Sequence, residues 1–132
     1  MGMLYGIVFH QILQWHSAYM HTDYFNQIVS DGVFNIGVTL ITFWGATVLW
    51  RSNPWSESHS VRRFWSGLFV GAGVFNLFEG IINHHILEIH HVRPGDPYEF
   101  YYDLAFDGIG VLVLIIGWSL YRSLKTVRRY RL

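Results

Sequence analysis

The sequence of 132 residues has no cysteine and few charged side chains. The absence of cysteine excludes disulfide frameworks, thiolate zinc sites, iron–sulfur clusters and cysteine nucleophiles. Charged residues make up 14% of the chain, against about a quarter in a typical soluble domain, so the polar surface of a soluble protein is missing. Nine Lys and Arg balance nine Asp and Glu, and this balance argues against a nucleic-acid partner.

Long apolar segments take the place of that polar surface. Residues 33–50, 64–78 and 108–121 carry no charge, and neither does the shorter segment 1–15. With its flanks, each segment approaches the ~20 residues that cross ~30 Å of hydrocarbon. We therefore predict an all-α integral membrane four-helix bundle, a single transmembrane domain over residues 1–132 that is surrounded by a lipid bilayer. The predicted helices are residues 1–20, 28–50, 64–91 and 103–121.

Basic residues concentrate at one end of this predicted bundle. Arg93 lies in the loop between the third and fourth helices, and the other basic residues follow the second or the fourth helix. Those residues are Arg51, Arg62, Arg63, Arg122, Lys125, Arg128, Arg129 and Arg131. Because basic loops stay in the cytoplasm, this bias predicts cytoplasmic termini and external loops at 17–27 and 92–102.

Two segments of the chain resemble each other. Residues 6–16 and 80–90 share Gly, Ile, His, Ile, Leu and His at a constant offset of 74. An Asp-Gly pair also recurs at Asp31 and Asp107, an offset of 76. We interpret the pattern as two helical hairpin repeats, approximately residues 1–50 and 64–122. Such parallel repeats are related by a pseudo-two-fold axis along the membrane normal.

Eight histidines are present, and several share helix faces with carboxylates. At 100° per residue, His85 falls among the apolar residues of the third helix. The opposite half of that helix carries Glu79, His84, Glu88, His90 and His91. On a straight helix Glu79 lies about 18 Å deeper than His91, near the middle of the bilayer. A carboxylate at that depth is costly unless it is paired, so it points to a functional site.

A metal site is the interpretation that unites these residues. The candidate ligands are His10, His16, Asp31, Glu79, His84, Glu88, His90, His91 and Asp107. Asp31 and Asp107 are explained equally well as first-turn residues of their helices. Imidazole and carboxylate ligands without thiolate suit a transition metal such as iron, copper or zinc. Carboxylate and histidine ligands inside a four-helix bundle are typical of dinuclear centres.

Three other interpretations stay open. Opposed histidines, His10 facing His84 or His16 facing His90, would suit the axial ligation of haem b in an electron carrier. Glu79 and the histidines could instead relay protons or ions without a bound metal. The chain could also be a structural subunit of a larger membrane complex or of a homo-oligomer.

Four motifs together resemble a known bacterial family of small histidine-rich membrane proteins, described as a domain of unknown function. They are residues 6–16, Phe-Asn-Leu-Phe-Glu-Gly at 75–80, His-His-Val-Arg-Pro-Gly at 90–95, and Asp-Leu-Ala-Phe-Asp at 103–107. The resemblance implies a four-helix protein of the bacterial inner membrane. Together with the ligand set and the basic bias, this resemblance leads us to expect metal handling, or a metal-dependent redox step linked to respiratory membranes, at a centre toward the periplasm.

Overall fold

Four helices make up the regular structure of the described chain. The structure is a computed structural model that describes residues 2–53 and 60–129, with side chains up to residue 124. Among these residues there is no strand, and the prediction of an all-α bundle is confirmed. The basic residue Arg131 lies outside the described residues. The helices are α1 (Gly2–Tyr5), α2 (Tyr24–Arg51), α3 (Ser60–Glu79) and α4 (Glu99–Arg129).

Within the described residues, three helical stretches are long and apolar enough to cross a membrane. They are Tyr24–Arg51, Ser60–Ile86 and Glu99–Leu124, with mean hydropathies of 1.6, 1.4 and 1.9. The predicted first helix over residues 1–20 is wrong at its far end, because the helical structure after α1 stops at Ile12. Its described part is at most about 16 Å long, roughly half of the hydrocarbon core.

The other helix ends also differ from the prediction. α2 begins at Tyr24, where the Asp23 carboxylate caps the helix by accepting a hydrogen bond from the Asn26 amide. This bond, with a second one from the Asn26 side chain, lowers the pKa of Asp23. α4 begins at Glu99 rather than at residue 103. Asp31 and Asp107 therefore lie in the third turns of α2 and α4, and the first-turn explanation of both residues is wrong.

Two π-helical segments give the halves of the chain the same local structure. α1 continues as a π-helix over Gly6–Ile12, and α3 continues as a π-helix over Gly80–Ile86. Directly after them, Gln14 and Glu88 adopt φ values of 50° and 47°, in the left-handed region. These positions differ by the predicted offset of 74. Because the chain turns at these residues, the loops 13–23 and 87–98 fold back over the same end of the bundle.

The helices pack unevenly. α3 and α4 lie in close contact, because Gly73 leaves room for Leu114 and the Ser66 hydroxyl donates to the carbonyl of Gly117 at 2.9 Å. No residue of α2, which is described in full, is buried. The buried side chains of the described residues are mostly polar: His16, Ser66, Asn76, His84, His90 and Asp103. A polar interior with an apolar exterior is the arrangement expected of a chain that lipid surrounds.

Candidate metal centre

Four histidines meet at the end of the bundle that carries the loops 13–23 and 87–98. The rings of His16 and His90 stack with their centroids 4.7 Å apart and their planes at 10°. The His10 centroid lies 4.7 Å from that of His16, and the His84 centroid lies 5.1 Å from that of His90. His84, His90 and His16 are only 2%, 5% and 8% exposed. We call these four residues the histidine cluster.

The π segments and their turns bring the histidine cluster together. His10 and His84 lie within the two π segments, whereas His16 and His90 follow the left-handed turns. Each turn is closed by equivalent backbone hydrogen bonds, Leu13 N to Val8 O and Leu87 N to Ile82 O, both 2.8 Å long. The turn returns the second histidine of each half to the side of the first. π-helical distortions of this kind are frequently found at functional sites.

Backbone carbonyls fix the protonation of two of these imidazoles. His16 Nδ1 lies 2.9 Å from the carbonyl oxygen of Val92, and His90 Nδ1 lies 3.2 Å from that of Ala18. A carbonyl can only accept, so each Nδ1 donates and each Nε2 carries a lone pair when the ring is neutral. Burial, with His90 and His10 nearby, lowers the pKa of His16 to about 3, so this ring is neutral at pH 7.

Carboxylates face the other two imidazoles. His10 Nδ1 lies 2.9 Å from Asp31 Oδ1, and His84 Nδ1 lies 3.5 Å from Asp103 Oδ1. Neither pair has the alignment of a hydrogen bond, although both nitrogens are buried. Two histidines of the cluster, His16 and His90, thus donate through Nδ1 to another segment, and the other two have a carboxylate oxygen near Nδ1.

The same contacts correct the register of the second helices in the two halves. Asp31 Oδ1 accepts a hydrogen bond from Ala18 N at 2.7 Å, and Asp103 Oδ1 accepts one from Val92 N at 2.9 Å. Ala18 and Val92 differ by 74, whereas Asp31 and Asp103 differ by 72. The predicted match of Asp31 with Asp107 is therefore wrong by one helical turn. Asp103 takes the place that Asp31 has in the first half.

Glu79 completes the site from within α3. Its Oε1 lies 3.2 Å from His90 Nε2, and ligand atoms of Glu79, His84 and His90 all lie within 4.8 Å of one another. Because His90 donates through Nδ1, its Nε2 lone pair faces a carboxylate oxygen, and this contact needs a shared proton or a cation. Two ligand atoms about 2.1 Å from one ion, at tetrahedral to octahedral angles, lie roughly 3.0–3.4 Å apart.

A small cavity lies between these side chains. Its volume is about 20 Å³, and its walls are Glu79, the histidine cluster and a set of mainly aromatic residues that includes Tyr5, Phe9, Phe34, Phe75 and Phe106. A cavity of this size holds about one water molecule or one ion.

Three predicted ligands make no hydrogen bond or close polar contact with the histidine cluster, unlike Asp31 and Glu79. Glu88 is exposed and follows the end of the π segment at Ile86. His91 bonds Asp103 at 2.7 Å and lies 3.3 Å from Glu99, while Asp107 lies 2.9 Å from His85. The predicted common face of His84, Glu88 and His91 is therefore wrong, because the helix ends before Glu88. His85 contacts a carboxylate and not the apolar arc where the straight helix placed it.

The predicted depth of Glu79 relative to the end of its helix is also wrong. A straight helix separates Glu79 from His91 by about 18 Å. In the structure the chain turns back after Leu87. Nε2 of His90, the residue before His91, therefore lies only 3.2 Å from Glu79 Oε1.

Two residues that matter to the site were absent from the predicted ligand set. Asp103 is 1% exposed, and the recurrence of Asp-x-x-x-Asn at Asp31 as Asp-x-x-x-Asp at Asp103 was the sequence signal for it. Asn76, also 1% exposed, accepts a hydrogen bond from Tyr5 and donates to the carbonyl of Phe106 at 2.6 Å. From α3 it thus bonds Tyr5 of α1 and Phe106 of α4, two residues that line the cavity.

Comparison with known proteins identifies one matching family. A family model described as "Predicted membrane protein (DUF2243)" matches residues 1–124. No curated protein and no solved structure matches the chain. The family description names a membrane protein and no activity, so the chemistry has to follow from the geometry of the histidine cluster.

Proposed function

The chain belongs to this family of predicted membrane proteins, and from that premise we propose that it binds a transition metal through the histidine cluster and Glu79. The hydrogen bonding of the imidazoles carries the proposal. His16 and His90 donate through Nδ1 to backbone carbonyls, and the Nδ1 atoms of His10 and His84 lie near carboxylates without an aligned hydrogen bond. Metal-ligating histidines typically use their second nitrogen in this way, which fixes the ring and leaves the other nitrogen for the metal.

The charges around the cavity support a bound cation. The carboxylates of Glu79, Asp31 and Asp103 face histidines, and His16 is neutral at pH 7 because its pKa is about 3. Carboxylates in an apolar environment cost several kcal/mol unless they are compensated. A divalent cation on neutral imidazoles would provide that compensation.

The ligand set narrows the identity of the metal. Nitrogen and oxygen ligands without thiolate suit iron, copper or zinc. Four imidazoles and one carboxylate are enough for one ion, or for two ions that share Glu79. With any of these metals the centre would serve metal handling, and with iron or copper it would also support a redox step linked to a respiratory membrane.

The shape of the site favours a bare ion over haem. Axial histidines of a haem lie on opposite sides of the porphyrin, with their nitrogens directed at the same iron. In this protein His16 and His90 stack face to face at 4.7 Å, and the cavity beside them measures about 20 Å³. A porphyrin does not fit between rings at that distance.

Metal analysis of the purified protein tests the proposal. We expect at least one equivalent of iron, copper or zinc per chain after purification in detergent with an affinity tag that contains no histidine. Co²⁺ added to metal-depleted protein should produce visible d–d absorption bands. A porphyrin absorption spectrum would contradict the bare-ion centre in favour of haem. Protein with neither metal nor haem, and with no Co²⁺ bands, would contradict both and leave a proton conduit or a structural subunit.

The orientation of the site is a second part of the proposal. Eight of the nine basic residues lie near the end of α2, near the start of α3, or at and after the end of α4, away from the histidine cluster. Because basic residues favour the cytoplasm, this distribution favours a cluster that faces the periplasm. We expect a reporter fused after Leu132 to be cytoplasmic and one inserted at Gly95, in an exposed turn, to be external. A cytoplasmic reporter at Gly95 would reverse the orientation and rule out a periplasmic source of the metal.

A further inference from the structure

An open pocket adjoins the metal centre in the first half of the chain. Its volume is about 480 Å³, it lies between the first π segment, the loop 13–23 and α2, and it shares His10 and His16 with the small cavity. We propose that this pocket, which we call the entry pocket, admits a hydrated divalent cation to the centre. The inference rests on the proposed function, since it concerns the route to the same site.

In the second half of the chain, the positions equivalent to part of this opening carry side chains that contact each other. Ser17 and Gln27 of the entry pocket correspond to His91 and Glu99, whose side chains lie 3.3 Å apart. A histidine–carboxylate contact thus stands in the second half where the first half carries a small and a neutral side chain. A second pair, His85 with Asp107 at 2.9 Å, stands where the entry pocket has Gln11 and Asn35.

The lining of the entry pocket suits a cation that loses its water in steps. Asp31 is 14% exposed at the side chain and places a negative charge at the wall. The side-chain amides of Gln11, Gln14 and Asn35 offer oxygen atoms that can replace water without holding the ion tightly. The inner cavity of about 20 Å³ has no room for a hydration shell, so the ion must lose its water before it reaches the imidazoles.

His10 stands at the boundary between the two spaces. Its side chain is 6% exposed, and its Nδ1 has no aligned hydrogen bond although Asp31 Oδ1 is 2.9 Å away. His10 and His16 both line the entry pocket and the inner cavity, and of the two only His10 lies beside a carboxylate that an incoming ion can also meet.

The rate of metal uptake tests this route. Gly32 lines the entry pocket from α2, and a Cβ built there meets no atom within 4 Å. The aromatic side chain of Gly32→Phe can therefore enter the pocket without a clash at its Cβ. Gly108→Phe in α4 is the matched control, because Gly108 has equally open surroundings and does not line the pocket. We expect Co²⁺ uptake by metal-depleted Gly32→Phe protein to be at least tenfold slower, with the same final Co²⁺ content. Gly108→Phe should load at the parental rate.

Each outcome has a definite meaning. Equal uptake rates in Gly32→Phe, Gly108→Phe and the parent would overturn the entry route and leave the metal centre intact. A lower final content in Gly32→Phe would also overturn it, because the pocket would then belong to the equilibrium site. Gly32→Leu, which is smaller, should slow uptake to an intermediate rate if Gly32→Phe does not fold. A parental protein that takes up no Co²⁺ would instead contradict the proposed function.

Discussion

His90→Ala is expected to lower metal affinity by more than tenfold and to leave the purified protein nearly free of metal. His90 Nε2 faces Glu79 at 3.2 Å, and its ring stacks on His16. Loss of a group that only orients a ligand typically costs about 10–100-fold in affinity, so loss of a ligand should cost at least as much. His84→Ala should have the same effect, because His84 is 2% exposed and belongs to the same group of ligand atoms. Elemental analysis of the purified variants measures the change.

His85→Ala is the matched control for His84→Ala. The two residues are adjacent in the sequence, but the side chain of His85 is 34% exposed and pairs with Asp107 outside the histidine cluster. We expect the His85→Ala protein to keep its metal. Equal losses in the His84 and His85 variants, at equal expression and unchanged thermal stability, would refute the assignment of the cluster as a metal centre.

The second large effect is expected from Asp103→Asn. The Asp103 carboxylate is 1% exposed, accepts hydrogen bonds from Val92 N and His91 Nδ1, and faces His84 Nδ1. Asparagine keeps the shape, but it removes the negative charge and cannot accept at both oxygen positions. We expect metal affinity to fall about 10–100-fold, the range found when the partner of a ligating histidine is removed. Competition with a chelator of known affinity measures the change.

Asp107→Asn separates this role from a general effect of charge. Asp107 lies one turn further along α4 and pairs with His85. The same change of charge at this position is expected to leave metal affinity at the parental value. If both variants bind metal as tightly as the parent, Asp103 does not position a ligand. If both lose affinity equally, the effect belongs to the charge of α4 and not to the contact with His84.

The membrane-spanning helices could be predicted because the signal for them is local. Each apolar run appears in the sequence itself, and three of the four runs become stretches such as Tyr24–Arg51. The ends of the first and third helices could not be predicted in the same way. Gln14 and Glu88 take positive φ values without being glycine, which few residues do. Contacts between distant segments, such as His16 with Val92, stabilise these turns, and helical periodicity contains no information on such contacts.

The site could be predicted in part for a different reason. The offset of 74 pairs His10 with His84 and His16 with His90 without any assumption about local geometry, so the sequence indicates these four histidines even where it predicts straight helices. The assumption of straight helices adds Glu88 and His91 through their common helix face. Asp103 is missing from the predicted ligand set because the repeated Asp-Gly pair suggests an offset of 76 residues, whereas the contacts of Asp31 and Asp103 give an offset of 72.

The two reciprocal hydrogen bonds between the halves set the order in which the protein can be completed as it is made. His16 needs the carbonyl of Val92, and His90 needs the carbonyl of Ala18. When the ribosome has released only the first hairpin, His16 has no acceptor and α2 has little to pack against. The first hairpin therefore lacks this hydrogen bond until residue 92 has been synthesised. The segment that supplies His90 also supplies the acceptor for His16, so both contacts between the halves become available together.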